Sequence, residues 1–76
     1  MKDFIEYLVK NIVDEPDQVQ INLVETERHT TVEINVAKED IGKIIGKKGK
    51  IIQALRVLTM TIGTRLGQRF QLEIIQ

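Results

Sequence analysis

The run Ile41-Gly42-Lys43-Ile44-Ile45-Gly46-Lys47-Lys48-Gly49-Lys50-Ile51-Ile52 holds the residues best suited to chemistry. Two glycines stand three apart with two lysines between them, and apolar, helix-compatible residues flank both sides. That spacing predicts a tight, positively charged turn, Gly46–Gly49, between two helices. Glycine at each end lets a partner's backbone come close, because no Cβ stands in the way. Amides opening the helix after Gly49 would point outward and favour an anion. The chemistry is anion binding, and a nucleic-acid phosphate is the natural ligand. Lys47 and Lys48 would serve as point charges against a sugar–phosphate backbone and read no sequence. Lys43 and Lys50 flank the turn as further contacts. Ile44, Ile45 and Ile52 are candidates for an apolar floor under bases, with plain core as the alternative and the favoured one for Ile44. Arg56, further along the same helix, could reach a phosphate, stack on a base or remain solvated.

Other chemistries find less support. The single histidine, His29, falls in an expected surface turn with no nucleophile constellation around it. Asp14, Glu15 and Asp17 read as a solvated, helix-ending turn rather than a metal site. Gly42–Lys50 is not a nucleotide-triphosphate loop, since the four-residue gap and the final Lys-Ser/Thr are absent. No catalytic residue, metal or cofactor is expected. The chain has no cysteine, which excludes disulfides and thiolate metal sites and is compatible with a reducing compartment. No charged-then-apolar leader opens it and no apolar run approaches the length of a membrane span. The cytosol is the expected location.

Net charge is zero, with eleven basic and eleven acidic residues. The balance hides a polarity. Residues 1–40 carry ten acidic and four basic side chains, while residues 41–76 carry seven basic ones against Glu73 alone. No acid stands between Ile41 and Leu72. A polyanion partner on the basic side is the expectation.

The elements that must hold the turn are legible from periodicity. Phe4, Ile5, Leu8, Val9, Ile12 and Val13 predict a helix over 2–13, ended by Asp14-Glu15-Pro16-Asp17. Val19, Ile21 and Leu23 alternate with polar residues, as do Val32, Ile34 and Val36, which predicts a hairpin turning at Thr26–His29. Glu39 and Asp40 open a short helix running to about Ile45. Beyond the glycine turn, Ile51, Leu55, Leu58, Ile62 and Leu66 predict the buried face of a longer helix. Phe70, Leu72 and Ile74 alternate in a last strand. The order is α-β-β-α-α-β, an α+β fold. The strands joined by two helices suit parallel pairing, so a three-stranded mixed sheet is expected, three helices on one face and the other face wet. Seventy-six residues make one domain, residues 1–76, burying only about 60% of its unfolded surface.

That order, with the G-x-x-G loop between the two central helices, resembles the type II (prokaryotic) KH fold over the whole chain. Within KH proteins the chain is most similar to the small bacterial single-KH family KhpA. The likeness rests on Ile5, Leu8 and Val9 of the first helix, Asp14-Glu15-Pro16-Asp17, Ala37 to Gly46, and Gln53-Ala54-Leu55-Arg56. The resemblance implies cytoplasmic RNA binding without catalysis, as an RNA chaperone or post-transcriptional regulator. It also implies homodimers and pairing with a larger KH-containing RNA-binding protein, linked in some bacteria to cell elongation and division. A protein-interaction module with little RNA binding of its own is the alternative.

The expected mode is weak and tolerant of sequence. One KH module holds about four nucleotides, there is no tryptophan, and Phe4, Tyr7 and Phe70 lie far from the loop in sequence. A second copy would add avidity. Val57 and Met60 lie opposite the expected buried face of the long helix, with Thr61 and Thr64 beside them, and form a candidate dimer interface. Thr61, Gly63 and Thr64 are small enough for two helices to approach.

Overall fold

In a computed structural model, which describes all 76 residues, helix α1 (Lys2–Lys10) places Ile5 and Val9 one turn apart, both fully buried. The helix is three residues shorter than its apolar pattern predicts. The Asn11 side chain donates to the Tyr7 carbonyl at 2.7 Å, and its backbone N–H is shared between Tyr7 and Leu8 carbonyls. Capped there, the chain leaves the helix. Ile12 and Val13 follow in turns, yet Val13 is still buried in the core. A short 3-10 turn over Pro16–Gln18 leads into strand β1 (Gln20–Glu25).

Strand β1 pairs antiparallel with β2 (Thr30–Asn35), and β2 pairs parallel with β3 (Phe70–Ile74), in the order β1-β2-β3. The register sets Ile21 against Ile34 and Val32 against Leu72. These side chains, with Phe70, are buried on one face. Asn22, Gln71 and Glu73 are exposed on the other, so the expected alternation holds in β2 and β3, whereas in β1 only Ile21 is buried and Leu23, expected to face the core, is exposed where the edge strand runs past the helices. The hairpin turn is tied by Thr26, whose hydroxyl accepts the His29 amide at 3.1 Å and donates to the His29 carbonyl at 3.0 Å.

Between β2 and β3 run a 3-10 turn (Lys38–Asp40), helix α2 (Ile41–Ile45), a second such turn (Lys47–Gly49) and helix α3 (Lys50–Arg65). All three helices contribute to one core: Ile5 and Val9 from α1, Ile44 from α2, Ile52 and Leu55 from α3. Fully burying a side chain of this size stabilises by about 1.5–3 kcal/mol.

Helix α3 is rotated from the expected orientation. Its buried residues are Ile52, Leu55, Thr59 and Gly63, whereas Leu58 and Leu66 are 43% and 60% exposed. Ile51 and Ile62 are half-buried. Small residues decide the matter. A Cβ on Gly63 would lie 2.6 Å from a Phe70 ring carbon and 2.9 Å from the Gln68 carbonyl oxygen, so only glycine lets the helix sit this close to β3. Thr59 can be buried because its hydroxyl donates to the Leu55 carbonyl at 2.7 Å. Gly63 therefore serves the α3–β3 contact and is not available to a second helix. The helix ends in a Schellman turn: Gln68 N–H donates to Gly63 at 2.8 Å and Gly67 N–H to Thr64 at 3.1 Å.

Candidate nucleic-acid interface

The glycine turn has the conformation its sequence demands. Gly46 ends α2 at φ 76°, ψ 173°, a backbone region closed in practice to L side chains. A Cβ there would also fall 2.6 Å from Ile51 Cγ1 and 2.9 Å from the Ile51 nitrogen. Gly46 N–H donates to Gly42 at 2.9 Å and Gly49 N–H to Gly46 at 3.1 Å, which closes the loop on itself. Lys48 (φ 57°) and Gly49 (φ 75°) are both left-handed. Lys48 is the only non-glycine residue with positive φ, a conformation costing about 1–3 kcal/mol. The turn therefore stores strain where Lys47 and Lys48 are held out into solvent. Gly49 caps α3 without any side-chain hydrogen bond, so the first-turn amides of α3 lack a side-chain partner.

On the side of α2, Lys43 is committed elsewhere: its Nζ lies 3.0 Å from Asp14 Oδ2. Beneath this pair is a contact that the sequence reading missed. Asp40 is 1% exposed, and its carboxylate accepts the backbone N–H groups of Asp14 at 3.2 Å and Glu15 at 3.0 Å. It fastens the exit of α1 to the start of α2 and so fixes the base of the loop. An acid opening a short helix reads as a dipole partner, and only the fold reveals which distant amides it meets. The same turn crowds carboxylates together. Glu15 is pushed above the ordinary value of 4.5, first by a hydrogen bond shared with Glu39, then by the Glu39 charge, desolvation, and the charges of Asp40 and Asp14.

A groove lies between α3 and the outer edge of β3. Arg56 bridges it, its Nε donating to the Leu72 carbonyl at 3.4 Å. Around this contact lies a concavity of about 280 Å³ lined by Arg56, Met60, Gln71, Glu73 and parts of Phe70 and Leu72. Arg69 C=O and Ile75 N–H are bonded to β2. By the alternation of a parallel ladder, the peptide groups of Phe70, Leu72 and Ile74 face the groove. Arg56 occupies one of these carbonyls, and the others offer unread donors and acceptors.

The fold thus places Gly46, Lys47, Lys48, Gly49 and Lys50 at the start of α3 and sets Arg56, further along that helix, in the groove. Ile45 is half-buried and packs at the margin of the core. Ile52 is a core residue, 6% exposed, and offers almost no surface to a ligand. The groove's apolar lining comes instead from Met60, Phe70 and Leu72, which sequence reasoning did not assign because nothing in the spacing shows that β3 lies at the sheet edge. Val57, Met60, Thr61 and Thr64 are all exposed on α3.

Comparison with known proteins gives a consistent picture. RNA-binding protein KhpA of Chlamydia pneumoniae is 45% identical over 76 residues, covering all of this chain and 97% of the relative. The protein of the same name from Listeria monocytogenes is 40% identical over the full length of both chains. That of Borreliella burgdorferi is 41% identical over 73 residues, 96% of this chain and 89% of the relative. No solved structure matches. The model of the KH domain of KhpA and KhpB matches residues 2–74, taking in every strand and helix and the Gly46–Gly49 turn between α2 and α3, and on that match the chain belongs to the KhpA/KhpB KH-domain family.

Proposed function

We propose that this protein binds single-stranded RNA without catalysis, as an RNA chaperone or post-transcriptional regulator, with residues 1–76 acting as one KH module. The observation that carries the reading is the Gly46–Gly49 turn, which holds two exposed lysines directly before α3, the helix that carries Arg56. The strand's backbone would lie against Gly46, Lys47, Lys48, Gly49 and Lys50. Its bases would enter the groove past Arg56. Lys43 joins only by exchanging Asp14 for a phosphate, and Ile45 contributes at the margin. Family relatives of matching length, each named an RNA-binding protein, support the same reading. A cysteine-free chain of this kind suits the reducing cytoplasm.

Replacing Lys47 and Lys48 with Asp tests the site. Both side chains are exposed, so the fold should persist while RNA affinity falls at least tenfold at moderate salt, measured by fluorescence anisotropy. Unchanged affinity would remove the loop from the site. Wild-type affinities for different unstructured RNAs should lie within about tenfold, or about 1.4 kcal/mol, and should weaken as salt rises.

A second reading, self-association, is favoured by the exposure of Val57 and Met60, 62% and 59%. Two copies would meet through α3 at Val57, Met60, Thr61 and Thr64. A larger KH-containing RNA-binding protein is a further candidate partner for the same surface, in keeping with a family description that names KhpA and KhpB together.

A further inference from the structure

We propose that the hollow at Arg56 takes one base of the bound RNA and prefers guanine there, with Glu73 and Arg56 as the residues that select it. The proposal rests on the reading of the chain as a binder of single-stranded RNA. Glu73 is the observation that carries it. It is the one acidic side chain among residues 41–76, and it lines the same concavity of about 280 Å³ as Arg56. That volume is at the small end for a ligand pocket and suits a single base. A carboxylate beside the path of a polyanion weakens binding unless the ligand offers it a donor. Glu73 makes no ion pair with Arg56 or with any other cation, since the chain's two pairs are Lys10–Glu6 and Lys43–Asp14. Its register neighbour on β2 is Glu33, and like charges side by side on a sheet repel. The protein thus leaves this carboxylate without a partner.

Arg56 is in the complementary state. Its Nε donates to the Leu72 carbonyl at 3.4 Å, which anchors the guanidinium to β3, while its terminal nitrogens have no partner. An ionised carboxylate only accepts and a guanidinium only donates. A base that satisfies both must present donors on one edge and acceptors on another. Guanine does so. Its N1–H and N2 amino group lie side by side and match the two oxygens of a carboxylate, while O6 and N7 match an arginine fork. Adenine and cytosine each bring a single amino group. Uracil sets its one N–H between two carbonyl oxygens, which a carboxylate repels. Gln71, also in the hollow, both donates and accepts, so it serves any base. Met60, 59% exposed, gives the base an apolar, polarizable surface to lie on.

The test uses labelled tetranucleotides in fluorescence anisotropy, with a single guanine walked through tetrauridylate. One of the four positions should bind about fivefold more tightly than tetrauridylate, the lower end of what a bidentate base contact discriminates. That preference fits inside the tenfold span expected of unstructured RNAs. Adenine or cytosine at the same position should gain less than twofold. Inosine, which lacks the N2 amino group, should bind at least twofold more weakly than guanine. Glu73 is exposed, so Glu73→Gln should fold. It should bring the guanine-to-uracil ratio below twofold and erase the inosine effect. Removing a negative charge raises affinity for every RNA alike, so the ratio separates base recognition from plain electrostatics. Arg56→Lys keeps the charge and loses the fork, and it should lower the ratio too. A wild type with no guanine position, or an unchanged ratio in either variant, would overturn the proposal. Lys47→Asp with Lys48→Asp keeps the two readings apart. If it abolishes binding while the wild type holds all tetranucleotides equally, the loop stands and the guanine site falls. If affinity and ratio survive it but the ratio is lost in Glu73→Gln, the loop falls and the guanine site stands.

Discussion

Gly46 carries two independent demands, and either alone would fix its identity. Its φ and ψ lie where side chains cost about 1–3 kcal/mol, and its missing Cβ is the space taken by Ile51. Gly46→Ala should therefore lower stability by about 2–4 kcal/mol in urea unfolding, a large share for a chain whose total is expected near 4–11 kcal/mol. A change below 0.5 kcal/mol would mean that the loop tolerates another conformation. Glu15 makes the opposite case, a residue held against its preference. Its folded pKa lies above the ordinary 4.5, chiefly through the hydrogen bond and charge of Glu39. A raised carboxyl binds its proton more tightly in the folded state, so the favourable contribution is full below 4.5 and is lost as pH rises through the folded value. Glu15→Gln removes that loss. Its melting temperature should exceed the wild type's at pH 7 and approach it at pH 4, and a gap wider at pH 4 would contradict the assignment.

Helix α3 shows what the sequence could and could not disclose. The order of elements, the strand alternation and the glycine turn were all legible, because each depends on local period or on a residue type with one strong preference. The facing of α3 was not. A count of large apolar residues selects Ile51, Leu55, Leu58, Ile62 and Leu66, yet close approach to β3 favours the small stripe through Thr59 and Gly63. Hydrophobic periodicity registers bulk and is blind to a helix that packs closely by having little of it. The groove was hidden for a similar reason, since it depends on β3 lying at the sheet edge and on Phe70 covering Gly63. The loop residues stand out in the sequence, but Ile52 belongs to the core, and neither the contacts of Asp40 nor the place of Met60 and Phe70 beside Arg56 follows from spacing. Two glycines measure the difference between local and tertiary reasoning. Nothing lies within 4 Å of a Cβ built on Gly42, so Gly42→Ala in α2 should stabilise by about 0.5–1 kcal/mol. Gly63→Ala gains the same helix propensity but meets Phe70 and a backbone carbonyl, and overpacking costs about 1–3 kcal/mol. Chemical denaturation should show opposite signs, and equal signs would overturn the packing account.

At the scale of the whole molecule, the acidic half and the basic half meet in a single ion pair, Lys43–Asp14. Carboxylates gather at the α1 exit, where Asp14, Glu15, Glu39 and Asp40 meet. The groove's arginines and the loop lysines make no ion pairs. The same geometry ties RNA binding to self-association. Met60 and Thr64 line the groove beside β3, while Val57, also exposed, lines none of the concavities. A dimer seated on all four residues would cover part of the path that RNA must follow. The two activities then compete unless the interface is centred on Val57 and Thr61. Variants separate these cases. Val57→Glu places like charges face to face across a two-fold interface and, being 62% exposed, should leave the fold intact. Sedimentation at tens of micromolar should show a wild-type dimer and a Val57→Glu monomer. Met60→Glu should also give monomers, and should weaken RNA binding at least threefold by placing an acid beside Arg56. If the dimer covers the groove, the Val57→Glu monomer should bind a tetranucleotide more tightly than the wild type does at high protein concentration. If the interface is centred on Val57 and Thr61, the two affinities should match. A wild-type monomer, or a dimer unaffected by either charge, would remove α3 as the contact between copies.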